Sequence, residues 1–196
     1  MIKPRIDQQT SERGLTLIEM LVVTGIITII TGLVLTNNNR FGGQVLLQNL
    51  AYDIALSIRE AQIYGISVQQ FQGVFGYAYG MHFQRGNDSS STYVLFADVE
   101  ENGVYDCDPG DMCELVESAN ISQGFYIADI CANPPSSQEV CGLTALDITF
   151  KRPEPDAYIR TPDYIGPHES ARIVVKSPRN EEKSITVGAN GQISVQ

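Results

Sequence analysis

With 196 residues and a formal net charge of −10, the chain has room for one modest domain plus one special segment. Its 13 Lys and Arg against 23 Asp and Glu exclude a broad nucleic-acid-binding surface, which needs a dense basic patch. No Lys/Arg cluster of that density appears in the sequence.

The chain opens on a short polar leader, residues 1–14, carrying Lys3, Arg5 and Arg13. Leu15 to Leu35 then forms an apolar run of 21 residues. As a helix rising 1.5 Å per residue it spans about 31 Å, close to the hydrocarbon thickness of a bilayer. An ordinary secretory signal has a shorter apolar region and a small-residue cleavage site beyond it; here Thr36, Asn37, Asn38 and Asn39 follow directly. The basic leader predicts a single pass through a membrane, with the leader in the cytoplasm and the rest of the chain outside it. Glu19 stands alone as a charge in the apolar run. A carboxylate in hydrocarbon costs roughly 2.5 to 3.5 kcal/mol, so it needs a partner or a place at a helix end.

Asn37 to Gly43 (NNNRFGG) is poor in helix formers and predicts a break, a kink or a melted turn. From Gln44 to about Ile66, Leu47, Leu50, Ala51, Ile54, Ile58 and Ala61 recur at three- and four-residue spacing. This is the stripe of an amphipathic helix that packs on a sheet.

Beyond Gly65 the pattern turns to strands: Ile66–Phe71, Tyr77–Gln84, Thr92–Ala97, Gly124–Ile130, Leu146–Lys151, Ala171–Lys176, Lys183–Val187 and Gln192–Val195. Short turns join the last three into an antiparallel meander. Cys131 to Ser137 and the proline-rich stretch Arg152 to Ser170 read as irregular connections. The expected class is α+β, a long N-terminal helix packed on one or two antiparallel sheets.

Four cysteines, Cys107, Cys113, Cys131 and Cys141, suit two disulfides in an exported domain, with three possible connectivities. Short loops favour Cys107–Cys113 and Cys131–Cys141. The intervening gaps of five and nine residues, with no nearby His, do not suit zinc.

Asp98, Glu100, Asn102, Gly103, Val104 and Asp106 follow the order of the first nine positions of a calcium loop. The closing Glu at position twelve is replaced by Pro109, so Asp108 or Asp111 would have to substitute. The other reading is a solvated acidic turn with no cation. Catalysis has little support. His82 and His168 are far apart, the serines of Asp88–Ser91 lack a nucleophile-elbow context, and GVFGYAYG lacks the Lys and helix of a phosphate loop. No enzyme is expected.

The run GLTLIEMLVV, residues 14–23, resembles the type IV prepilin signature, with Leu15 where Phe is usual. The resemblance implies cleavage by prepilin peptidase between Gly14 and Leu15, methylation of the new N-terminus, and a transmembrane and assembly helix over 15–36. A periplasmic or extracellular pilin domain would follow over 37–196. It also implies that Glu19 pairs with the N-terminal amine of a neighbouring subunit in a filament, which relieves the burial of both charges. LLQNLAYDIALSIREAQIYGISV is similar to the GspH/FimT-type minor pseudopilins and minor pilins, with Ile58, Arg59, Glu60, Ala61 and Gly65 at matching places.

The expected function is therefore a structural subunit of a type II secretion pseudopilus, with other pilins or pseudopilins, the peptidase and the inner membrane as partners. Alternatives are a type IV pilus minor pilin and a signal-anchored exported domain. Some members of that branch resemble DNA-uptake pilins, which use arginines near the C-terminus. Val187 to Gln196 contains none, so nucleic acid is not an expected partner.

Overall fold

The computed structural model describes residues 14–86, 92–107, 113–135, 138–163 and 166–196, with the backbone alone at 36–41. The leader up to Arg13, Ser89 to Ser91, Asp108, Pro109, Asp111 and Ser137 lie outside the described residues. One helix, α1, runs Leu17–Ile66. The break expected at Asn37–Gly43 is not present as a loss of helical backbone, which continues through it. Asn and Gly weaken a helix by at most about 1 kcal/mol each, and propagation from turns already formed needs no new nucleus. The chain nevertheless divides into a pair of compact units, with the boundary between Phe41 and Gly42.

The strands are β1 (Gln70–Phe71), β2 (Val74–Phe75), β3 (Ala78–Gln84), β4 (Thr92–Asp98), β5 (Leu115–Asn120) and β6 (Tyr126–Asn133). They continue with β7 (Val140–Cys141), β8 (Ala145–Phe150), β9 (Ala157–Arg160), β10 (Ser170–Lys176), β11 (Glu182–Gly188) and β12 (Ile193–Val195). They form a β1–β2 ribbon and two five-stranded sheets, ordered β12-β11-β10-β6-β7 and β5-β4-β3-β8-β9. All the pairings are antiparallel. The fold is α+β, and β10, β11 and β12 make the expected meander.

Sequence periodicity passed over β2, β5, β7 and β9. Three of them are short, and β5 (LVESAN) is an edge strand that is largely exposed and so lacks an apolar alternation. Two stretches expected to be irregular are corrected. Cys131 and Ala132 belong to β6, and β9 lies within the proline-rich stretch, its residues Ala157 to Arg160 falling between the prolines.

Leu47, Ala51, Ile54, Ile58 and Ala61 of α1 are buried, with Leu50 packed against them. They share one core with Met81, Leu95, Leu146, Ile148 and Phe150 of one sheet and Ile127, Ile130, Ile173, Ile185 and Val187 of the other. Gly65 lets the helix close on β8, because a Cβ there would run into the Phe150 carbonyl oxygen. Gln62, also buried, donates from Nε2 to the carbonyls of Pro155 (2.8 Å) and Gly191 (3.1 Å), tying the helix to two loops.

Candidate functional site

Gly14, Leu15 and Thr16 precede the helix, and Glu19 lies in its first turn. The Glu19 amide donates to Thr16 Oγ1 at 3.3 Å, so Thr16 caps the helix. Thr16 and Glu19 have the spacing of a capping box, in which a carboxylate at the third helical position favours the positive end of the helix dipole. This helix-end role for Glu19 follows from the cap and stands beside any pairing with a neighbour. Every described side chain from Leu15 to Leu35 is exposed. Leu17–Leu35 is long and apolar enough to cross a membrane.

The acidic loop after β4 is built around two buried carboxylates. Asp98 accepts from the amides of Asn102 and Gly103, both at 3.0 Å. Asn102 donates from Nδ2 to Asp106 at 2.6 Å and accepts from the Val104 amide at 2.8 Å. Glu114 reaches back from the far side of the Cys107–Cys113 disulfide. Its Oε1 takes the Val99 and Glu100 amides at 2.6 and 3.3 Å, and its Oε2 takes the Asp106 amide at 3.1 Å. Burial pushes both the Asp98 and the Glu114 carboxyls up, opposed by these amides.

Asp98, Asn102 and Asp106 are thus joined in one hydrogen-bonded loop, and the Glu100 side chain takes no part in those bonds. Among the described residues, the donor atoms of three or more His, Cys, Asp or Glu come within 4.8 Å of one another only at Asp129, Cys131 and Cys141. There both sulfurs are joined in a disulfide, which leaves no thiolate to hold a metal.

Sequence reading missed what the loop rests on. His82, Asp147 and Arg160 face one another in register across β3, β8 and β9. His82 Nδ1 lies 2.7 Å from Asp147 Oδ1, which also accepts the Tyr105 amide at 3.3 Å. The Tyr105 ring packs 5.3 Å from His82 and 5.6 Å from Phe96. The loop is thereby fastened over the outer face of this sheet, beside a cavity of about 390 Å³. A lone carboxylate in the apolar strand ALDITF was the available signal. Glu114 carried none, because its partners are backbone amides brought to it by the fold.

Both disulfides join the expected pairs, with Cα separations of 4.2 Å for Cys107–Cys113 and 4.0 Å for Cys131–Cys141. The family model for the prokaryotic N-terminal methylation motif matches residues 9–35. Together with the apolar helix, this motif supports a type IV pilin-like protein. Neither curated proteins nor solved structures give a match. The motif implies processing by prepilin peptidase and assembly with other pilins, and with the apolar helix it fits a membrane-anchored pilin. Pilin-type families are structural rather than enzymatic.

Proposed function

We propose that this chain is a minor pseudopilin of a type II secretion pseudopilus, cut between Gly14 and Leu15 and N-methylated at Leu15. The observation that carries the pilin reading is the methylation motif placed directly on an exposed, capped apolar helix. Such a surface is stable only in lipid or among other apolar helices. Val45, Tyr52, Leu56 and Ile63 extend this character, since they are exposed on the helix face turned away from the core. The match of Ile58, Arg59, Glu60, Ala61 and Gly65 to the GspH/FimT branch supports a minor subunit.

The domain would sit on the periplasmic or extracellular side, where the two disulfides are chemically at home. It would act by packing rather than by catalysis, and its acidic loop would be held by its own hydrogen bonds without calcium at Asp98, Glu100, Asn102 and Asp106. A type IV pilus minor pilin is the alternative.

Mass spectrometry of the membrane-extracted protein is the first test. A mature N-terminus at methyl-Leu15 is expected; an uncut chain, or a cut beyond Leu35, would remove the pilin reading and leave a signal-anchored domain. Deleting the chain then separates the two machines. Loss of protein secretion with pili intact supports the pseudopilus, and the reverse pattern supports the pilus.

A further inference from the structure

Arg172 of β10, Cys131 of β6 and Cys141 of β7 lie in one cross-strand row, each paired in register with the next. Arg172 Nη2 lies 3.5 Å from Cys131 Sγ and 3.7 Å from Cys141 Sγ. The guanidinium is held there by Glu139, through Nε to Oε1 at 2.9 Å and Nη2 to Oε2 at 2.5 Å. Cys131 is buried at 1% exposure, whereas Cys141 is exposed. Beside them opens a cavity of about 400 Å³ lined by Arg85, Asp129, Gly142, Arg172, Lys176 and Glu182. Asp129 brings a carboxylate to the buried sulfur, its Oδ2 3.9 Å from Cys131 Sγ. Its charge is offset by the Ile130 and Gly142 amides, at 2.9 and 2.8 Å, and by Arg85 at 4.0 Å.

We propose that Cys131–Cys141 is a thiol–disulfide exchange site for an exogenous dithiol, with Arg172 as the residue that stabilises the leaving thiolate. An incoming thiolate can reach only Cys141 Sγ. It bonds there as the Cys131–Cys141 bond breaks, and the electron pair leaves on Cys131 Sγ against the Arg172 N–H. The second thiolate of the dithiol then displaces Cys141. This step yields an oxidised dithiol and two reduced cysteines, which take their protons from water. Run backwards, the same steps close the bridge in the folded domain. A cation beside the leaving sulfur lowers its thiol pKa, and a lower leaving-group pKa speeds exchange. Cys107–Cys113 has no such cation among its described contacts.

The test uses the full chain in detergent, limited dithiothreitol, alkylation and peptide mapping of each bridge. Cys131–Cys141 is expected to open first, and the monothiol glutathione to add at Cys141. Arg172→Met should slow opening by about three- to tenfold, with partial rescue by Arg172→Lys. Glu139→Gln, which keeps an amide oxygen to hold Arg172 but removes the carboxylate charge opposing it, should accelerate it. Cys107–Cys113 should open at an unchanged rate in every variant, and serves as the internal control for folding. An adduct at Cys131, or equal rates in wild type and Arg172→Met, would overturn the proposal. If Arg172→Met disturbs the control bridge, Glu139→Gln decides alone, and no acceleration there counts against it.

Discussion

Glu114 Oε1 accepts the Val99 amide at 2.6 Å from a side chain wholly sealed from solvent. Burial raises this carboxyl, as it raises Asp98 in the same loop, above the range it has in the unfolded chain. A group with a raised folded pKa contributes its stability fully below the unfolded value and loses it as pH rises through the folded value. Unfolding free energies of wild type and Glu114→Gln, measured by denaturant titration from pH 4 to 8, should therefore diverge. Wild type should lose stability relative to the variant as pH rises. Parallel pH profiles would show that burial of Glu114 does not govern the loop.

Gly65 against Phe150 predicts a second outcome. A methyl group at this position meets backbone, which cannot rotate away. Gly65→Ala should destabilise the domain by about 1 to 3 kcal/mol, the range of overpacked cores, although alanine is the better helix former. A melting temperature equal to or above wild type would show that α1 can shift off β8 at little cost.

The acidic loop closes on its own amides, so adding calcium or a chelator should leave the melting temperature unchanged within about 1 °C. A tightly bound cation at a hundredfold excess over its Kd would instead contribute about 2.7 kcal/mol, a shift of several degrees. Such a shift, abolished by Asp98→Asn, would assign the loop to calcium.

Each disulfide closes a short loop, with sequence separations of 6 and 10. Chain-entropy arguments give about 2 to 3 kcal/mol for loops of this length. Replacing Cys131 and Cys141 together by serine should lower the unfolding free energy by that amount. No loss would mean that the β6–β7 pairing is set by its backbone alone.

Thr16 and Glu19 are separable. Thr16→Val removes the hydroxyl that takes the Glu19 amide and should fray the first helical turn by about 1 kcal/mol, seen as faster amide exchange in micelles. Glu19→Gln keeps this cap. It should leave cleavage after Gly14 intact while reducing co-purification with partner pilins; undiminished co-purification would confine Glu19 to the helix end.

Much of this protein is local and so was readable from its order of residues. The apolar run and the 14–23 signature depend on composition and spacing alone. The stripe from Leu47 to Ala61 repeats with the helical period, and short cysteine separations favoured the pairings found. What differed was also local in cause. Asn37 to Gly43 suggested a break, a kink or a melted turn, and the helical backbone continues there because propagation outweighs weak propensities; β5 had too little burial to show a strand pattern.

Other relationships join residues far apart in the chain, and only the tertiary structure decided them. His82 meets Asp147 because β3 pairs with β8, and Arg172 meets Cys131 because β10 pairs with β6. Glu114 finds the Val99 and Asp106 amides once the Cys107–Cys113 loop is closed. Periodicity reports which face of an element is apolar, but not which strand becomes its neighbour or in what register. The sequence by itself therefore determined a prepilin-type methylation motif on an apolar helix long enough to cross a membrane. Packing determined which carboxylates are buried, what holds the acidic loop and which disulfide has a cation beside it.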